Sequence, residues 1–334
     1  MHEFGGMARA TLSTSGAASG SDDASRCLLL ALSHDELGVI VDGLADPLQP
    51  VVAVALSSTC LGLRTPLQAA LVVLQQRHAR AKALGRKGGK IIRQGPQLVR
   101  IPMTCADLRD AEDLDWSARD LTADDMAALR MILPSMPRMQ DLYMVYNPFA
   151  DAGMRALCEG LGRGDAPSLR MIRLDDNELG PAGAEALAAA LSRGAMPNVK
   201  ELTLRDNDIG DQGVAALAPA LKKLRALRHL DLGYCQIGDQ GVASLLDNLG
   251  KDDFKTLKGL YLDHNEITDK GCATVVSALK AGALPAIKAL YHDESGDVSD
   301  FRSEFASEEA CAAVDAALNQ RSQHGANKHH SILV

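Results

Sequence analysis

Residues 202–221 read LTLRDNDIGDQGVAALAPAL, and the order of residue types in that stretch decides the fold. Leu202-Thr203-Leu204 has period two, so both leucines face one side of a short strand. Asn207 follows at the bend, where its amide can satisfy backbone groups turning away from the strand. Ile209 and Gly210-Asp211 come next, with Asp211 suited to a helix N-cap and Gly213 to close packing of the first turn. Val214, Leu217 and Leu221 then form an i, i+3, i+7 apolar stripe, which is the inner face of a helix. One strand and one helix cannot bury their own apolar faces, so the unit needs copies of itself.

The copies are present. LYMVYNPFADAGMRALCEGL starts at Leu142, IRLDDNELGPAGAEALAAAL at Ile172, LDLGYCQIGDQGVASLLDNL at Leu230 and LYLDHNEITDKGCATVVSAL at Leu260. The bend position is Asn147, Asn177, Asn207, Cys235 and Asn265, in steps of 30, 30, 28 and 30 residues. Cys235 can stand in the series because a thiol also donates weakly. Asp239 and Asp269 repeat the N-cap position of Asp211. A degenerate earlier copy holds Leu114, Trp116, Arg119, Leu121, Met126 and Leu129, and a frayed last copy holds Ile287 and Leu290 before His292 and Ser295 break the pattern. Stacked units of this kind form a curved solenoid with parallel strands inside and helices outside. The segments resemble leucine-rich repeats of the long, ribonuclease-inhibitor-like type, which implies an α/β solenoid whose concave face binds protein.

Side chains that point away from the core line that face. Between the two leucines stand Tyr143, Arg173, Thr203, Asp231, Tyr261 and Tyr291; beyond the second stand Val145, Asp175, Arg205, Gly233, Asp263 and Asp293; next come Tyr146, Asp176, Asp206, Tyr234, His264 and Glu294. All five tyrosines of the chain fall on these segments, and tyrosine is enriched at interfaces. Exposed strand positions favour aromatic residues on their own account as well. The partner-binding candidates are Tyr143, Tyr146, Arg173, Asp175, Arg205, Asp231, Tyr234, Tyr261, Asp263, His264 and Tyr291. Charge is sorted too. Arg170, Lys200, Arg228, Lys258 and Lys288 run along one edge, and an acidic rim that includes Asp176, Glu178, Asp206, Asp208 and Glu266 runs along the other.

The rest of the chain divides by composition. Residues 1–26, rich in Ser, Gly and Ala, read as disordered. Residues 27–84 read as a helical block, 85–103 as a basic connector, 104–298 as the solenoid and 299–334 as a short capping helix with a polar tail. In the helical block, Ser33-x-x-Glu36 is a capping box and Leu37, Ile40 and Leu44 make a helical stripe. Leu32, Leu37, Ile40, Leu44, Val54, Leu56, Ser57, Cys60 and Leu63 resemble an F-box, with Ser33 where that family usually has proline and Leu63 where it often has an aromatic residue. The resemblance implies docking on the adaptor of a cullin-type ubiquitin ligase through Leu32, Leu37, Ile40, Leu44, Leu56 and Leu63. The same helices could instead cap the open end of the solenoid.

Composition narrows the function. With 46% hydrophobic and 23% charged residues the chain is globular. No run of about 18 apolar residues marks a membrane span, and the first 25 residues lack the apolar core of a signal peptide. Seven cysteines without a CxxC pair point to reduced thiols, in the cytoplasm or nucleus, and to no structural zinc. A net charge of −8 argues against a nucleic-acid binder. No phosphate-binding loop, HExxH or nucleophile with triad partners occurs. The expectation is a non-enzymatic, cofactor-free and metal-free protein-binding scaffold, monomeric apart from its partners. Alternatives are a structural component of a cytoskeletal or ciliary assembly, or a GTPase-activating protein, one family of which uses this repeat type.

Overall fold

The computed structural model describes residues 46–51, 54–55, 68–94, 97–250, 253–290 and 303–330. Two compact units are present, Met1–Leu44 with Val51–Leu71 and Ala45–Pro50 with Val72–Val334, and every described strand belongs to the second. Six strands, β3 (Asp113–Asp115), β4 (Asp141–Tyr143), β5 (Met171–Arg173), β6 (Glu201–Thr203), β7 (His229–Asp231) and β8 (Gly259–Tyr261), form one open parallel sheet in sequence order. Leu114, Leu142, Ile172, Leu202, Leu230 and Leu260 are Cα partners from strand to strand. A bridge from Gly259 to Ala289 starts one further rung.

A helix follows each strand: α3 (Ala123–Ile132), α4 (Ala150–Cys158), α5 (Pro181–Ser192), α6 (Gly210–Leu221), α7 (Asp239–Leu246) and α8 (Asp269–Lys280), each packed on the next. This is the leucine-rich-repeat α/β solenoid. Its core is built from one stripe per element, as the periodicities require. In a single unit Leu202, Leu204, Val214, Leu217 and Leu221 are each at most 1% exposed, and truncating any one of the leucines to alanine costs about 2–5 kcal/mol.

Ahead of the first strand of the parallel sheet come α1 (Gln68–Lys87), the hairpin β1 (Lys90–Gln94) with β2 (Gln97–Ile101), and α2 (Cys105–Asp110). Residues 85–103 therefore differ from a loop connector: the helix runs on to Lys87, and most of the rest pairs as antiparallel strands. The end of α1 approaches the first repeat closely. A Cβ on Gly88 would lie 1.8 Å from the Trp116 indole nitrogen, so only glycine fits there. Lys87 Nζ donates to the Asp120 carbonyl oxygen at 2.9 Å and to the Asp125 carboxylate at 2.6 Å, which anchors the helix end on the first repeat. The last helix, α9 (Glu308–His330), is longer than the short terminal helix the sequence suggests. Val314 on it is buried, and Cys311 meets Cys272 of α8.

The aspartates of the first helical turns act differently from the sequence reading. Asp211, Asp239 and Asp269 lie inside their own helices and cap the next element instead. Asp211 accepts the N–H groups of Gly238 and Gly241 at 2.7 and 2.8 Å. Asp239 accepts those of Thr268 and Gly271 at 2.9 and 2.8 Å. Asp269 accepts the Ser307 N–H at 2.6 Å, just ahead of α9. Asp151 does the same for Gly180 and Gly183. Pro181 occupies this position in α5, so the relay misses one step, and the Pro181 Cα packs beside Gly213.

Candidate functional site: the concave face

The bend residues hold the face in shape. Asn147, Asn177, Asn207 and Asn265 are at most 2% exposed, and Cys235 is fully buried. Asn207 Oδ1 accepts the N–H groups of Asn177 and Leu179, at 3.1 and 2.9 Å, and its Nδ2 donates to the carbonyls of Leu174, Leu204 and Arg205. Asn265 repeats this pattern on Cys235 and Ile237. The Cys235 thiol reaches the Leu204 carbonyl oxygen at 3.1 Å, and burial pushes it well above the usual thiol range.

Immediately before each bend residue the backbone turns left-handed. Tyr146, Asp176, Asp206, Tyr234 and His264 have φ of 58°, 54°, 54°, 51° and 53°. Aspartate tolerates that region, whereas a bulky ring is strained in it. Sequence spacing places these five side chains in one column, but nothing in the residue types announces the strained backbone.

Beyond this shared frame the face has two halves. In the first, Tyr146 is 63% exposed and Tyr143 and Arg173 are partly exposed. The Arg173 guanidinium lies 5.6 Å from the Tyr143 ring centre and bonds Glu201 at 3.2 Å. Burial, then the neighbouring Asp141, pushes the Tyr143 phenol above its ordinary range, so it stays a neutral hydrogen-bonding group.

In the second half the polar side chains engage one another. Asp263 is fully buried and Asp231 7% exposed. Arg205 Nη1 donates to Asp263 Oδ2 at 2.7 Å and lies 3.8 Å from Asp231 Oδ1; its Nε is 3.5 Å from Asp206 Oδ2. The other face of this system is aromatic. Arg205 sits 4.7 Å from the Tyr234 ring centre, and Tyr234 stacks on His264 at 4.1 Å. His264 Nδ1 in turn lies 3.3 Å from Glu304, from the segment beyond the repeats. Tyr261 stacks on His229, with its hydroxyl 3.3 Å from His229 Nδ1. Asp175, behind Arg205, accepts that residue's backbone N–H at 3.2 Å, and burial pushes its carboxyl up to about 6.

Of the residues the sequence marks for partner contact, Tyr146 and Tyr234 are exposed, and Tyr143, Arg173, Asp175, Arg205, Tyr261 and His264 are partly exposed. Asp231 and Asp263 are drawn into the wall, with Arg205 as their counter-ion. Two charges of opposite sign on one face satisfy each other before any partner arrives, which is why these positions close. Tyr291 and the proposed docking residues Leu32, Leu37, Ile40, Leu44, Leu56 and Leu63 lie outside the described residues, as does the Ser33-x-x-Glu36 box. Among the described residues no group of three or more His, Cys, Asp or Glu could hold a metal ion, and no helix is long and apolar enough to cross a membrane. Buried thiols such as Cys158, pushed up to about 12 by desolvation, are core groups and not nucleophiles.

A repeated strand, asparagine bend and helix define the fold class, a leucine-rich-repeat solenoid. The family model described as "Leucine Rich repeat" matches residues 166–188, 195–218, 223–246 and 255–276. Among solved structures, one similar chain comes from the crystal structure of the Rad7 and Elc1 complex in yeast. It is 18% identical with a TM-score of 0.32, and the match covers 55% of this chain and 48% of that one, so this chain spans about half the length of its counterpart. No curated protein matches the sequence.

Proposed function

We propose that the chain is a non-enzymatic scaffold that binds a protein partner across the first half of its concave face. The observation that carries this reading is Tyr146. A large aromatic side chain is 63% exposed on a backbone held left-handed at φ 58°. Strain of about 1–2 kcal/mol is tolerated there in place of the Asp found in two sister repeats. Tyr143 and Arg173 flank it with rigid, amphipathic contact area, which is the composition of interface hot spots. Affinity capture on the full chain, followed by mass spectrometry, tests the reading. Tyr143→Ala, Tyr146→Asn and Arg173→Glu should each lower recovery of a partner held by the unaltered chain. Recovery unchanged by all three would remove this face from the account.

The finer reading is a substrate receptor of a cullin-type ubiquitin ligase. Its support is the F-box resemblance of Leu32 to Leu63, ahead of leucine-rich repeats. Co-purification of the ligase adaptor, lost on substitution of Leu37 and Ile40, is the expected result. Absence of the adaptor from a complex that retains the concave-face partner would leave the scaffold without a ligase role.

A further inference from the structure

The edge of the sheet where the strands begin is a separate surface, and it carries one cation per repeat. Arg170, Lys200, Arg228, Lys258 and Lys288 occupy consecutive rungs. Each donates its backbone N–H to the carbonyl oxygen of the rung before, Arg170 to Gln140, Lys200 to Arg170, Arg228 to Lys200, Lys258 to Arg228 and Lys288 to Lys258, at 2.7 Å in every case. That repeated bond fixes the spacing near the inter-strand distance, about 4.8 Å. The two rungs before them are Glu112 and Gln140, and Glu112 is already paired with Arg138. The cationic series therefore begins at the third rung and continues to the end of the repeats.

These cations are presented, not consumed. Arg170, Arg228, Lys258 and Lys288 are exposed and Lys200 half-buried. Among the described residues none of Lys200, Arg228, Lys258 and Lys288 is ion-paired. The neighbouring strand-start position carries Asp113, Asp141 and Glu201 beside the early rungs, but His229, Gly259 and Ala289 beside the last three. Like charges stacked at this distance repel. A chain with eight surplus negative charges could place a carboxylate at each rung and does not. The turns beneath are braced. The Ser168 hydroxyl donates to the Pro137 carbonyl at 2.7 Å, the Asn198 amide to Pro167 at 2.8 Å and the Thr256 hydroxyl to Arg225 at 2.8 Å. A shallow cleft of about 540 Å³ opens beside the first of the cationic rungs.

We propose that this edge docks an acidic segment of a partner protein, whose carboxylates meet the cations rung by rung. A helix carrying Asp or Glu once per turn repeats every 5.4 Å or so, close to the rung spacing, whereas same-side residues of an extended strand lie about 6.6 Å apart. A nucleic-acid backbone fits less well, because the negative net charge and the opposite rim of Asp176, Asp206, Asp208 and Glu266 repel it. The inference rests on the scaffold reading but uses a different surface, so the two can fail independently.

The test is fluorescence anisotropy with the full chain and a labelled helical peptide bearing glutamate at every turn. A single-stranded oligonucleotide of equal charge serves as the competing probe. Saturable peptide binding at about 50 mM salt, weakened about tenfold or more by about 300 mM, is expected. Arg228→Glu with Lys258→Glu and Lys288→Glu should abolish it, and the milder triple change to Gln should weaken it at least about tenfold, while Tyr146→Asn leaves it unchanged. No saturable peptide binding, binding by both triple variants as tight as that of the unaltered chain, tighter binding of the oligonucleotide, or loss on Tyr146→Asn alone would each overturn the proposal. In the last case the peptide would occupy the concave face, and the scaffold reading would survive without this edge.

Discussion

The two halves of the concave face use the same positions of the same repeat for opposite purposes. Around Tyr143, Tyr146 and Arg173 the side chains stand out from the sheet and engage little beyond each other and Glu201. Around Arg205 the equivalent positions are knitted together by two carboxylates below and a Tyr–His stack above. The difference lies in charge pairing across units. Arg205 and Asp263 are 58 residues apart in sequence yet 2.7 Å apart in space. A repeat leaves its wall open where its outward residues have no complementary neighbour two strands away, and becomes a piece of structural fabric where they have one.

The largest effect should come from breaking that fabric. Arg205→Met leaves Asp263 as an uncompensated buried carboxylate, with Oδ1 already lacking a hydrogen bond. Removing one partner of such a pair costs about 3–5 kcal/mol, while replacing both is often tolerated. Urea denaturation should therefore show a large loss for Arg205→Met and recovery of at least half of it when Asp263→Asn is added. A single-variant loss below about 1 kcal/mol would mean that the two halves differ less than their geometry indicates.

Asp175 lies at the join of the halves and offers a pH-dependent contrast. Its carboxyl is raised from 3.8 to about 6 in the folded chain, chiefly by burial. A carboxyl raised on folding contributes most below its unfolded value, when it is neutral, and the contribution is lost as pH rises from about 4 through about 6. Discounted for its partial exposure, the penalty above that window is about 2 kcal/mol. Asp175→Asn keeps an acceptor for the Arg205 N–H, so it should stabilise the chain at pH 7.5 and make no difference near pH 4. Thermal melts across that range would show the effect. A constant offset at every pH would point to lost packing instead.

The relay beneath both halves gives a smaller change. Asp211→Ala removes the acceptor for two helix-end N–H groups, worth about 1 kcal/mol as an N-cap. The same substitution cannot be made in α5, where Pro181 already breaks the series. A Pro181→Asp chain should gain a few tenths of a kcal/mol by completing it. If chemical denaturation shows no loss for Asp211→Ala, the relay is geometry without energy.

These contrasts mark what residue order can convey. The thirty-residue beat, the Leu202-x-Leu204 strand and the buried Asn207 are local, so they are legible in one repeat and checked by the next. The capping role of Asp211 is not, because its acceptor oxygen serves Gly241, 30 residues on, and a helix-start aspartate looks the same whichever helix it caps. The hairpin Lys90–Ile101 hides behind its basic residues, although Gly95-Pro96 between Ile91-Ile92 and Leu98-Val99 is a turn signal in sequence between two apolar pairs. On the concave face the column is legible and the accessibility is not. Alternation shows that Tyr146 and Asp263 both point away from the helices, but only the partner two strands off decides which one stays open.

Tyr146 gives the smallest expected change in stability and the sharpest separation of the two halves. Its left-handed backbone suits asparagine better than tyrosine, and its ring is mostly in water. Tyr146→Asn should therefore leave the unfolding free energy within about 0.5 kcal/mol of the original, or raise it slightly. Tyr234→Asn, at the matching position of the closed half, removes the ring between Arg205 and His264 and should cost more than that. Partner capture should move the other way, falling for Tyr146→Asn and changing little for Tyr234→Asn. Equal stability losses for the two variants would show that Tyr146 also serves the fabric, and the strain it bears would need a structural cause.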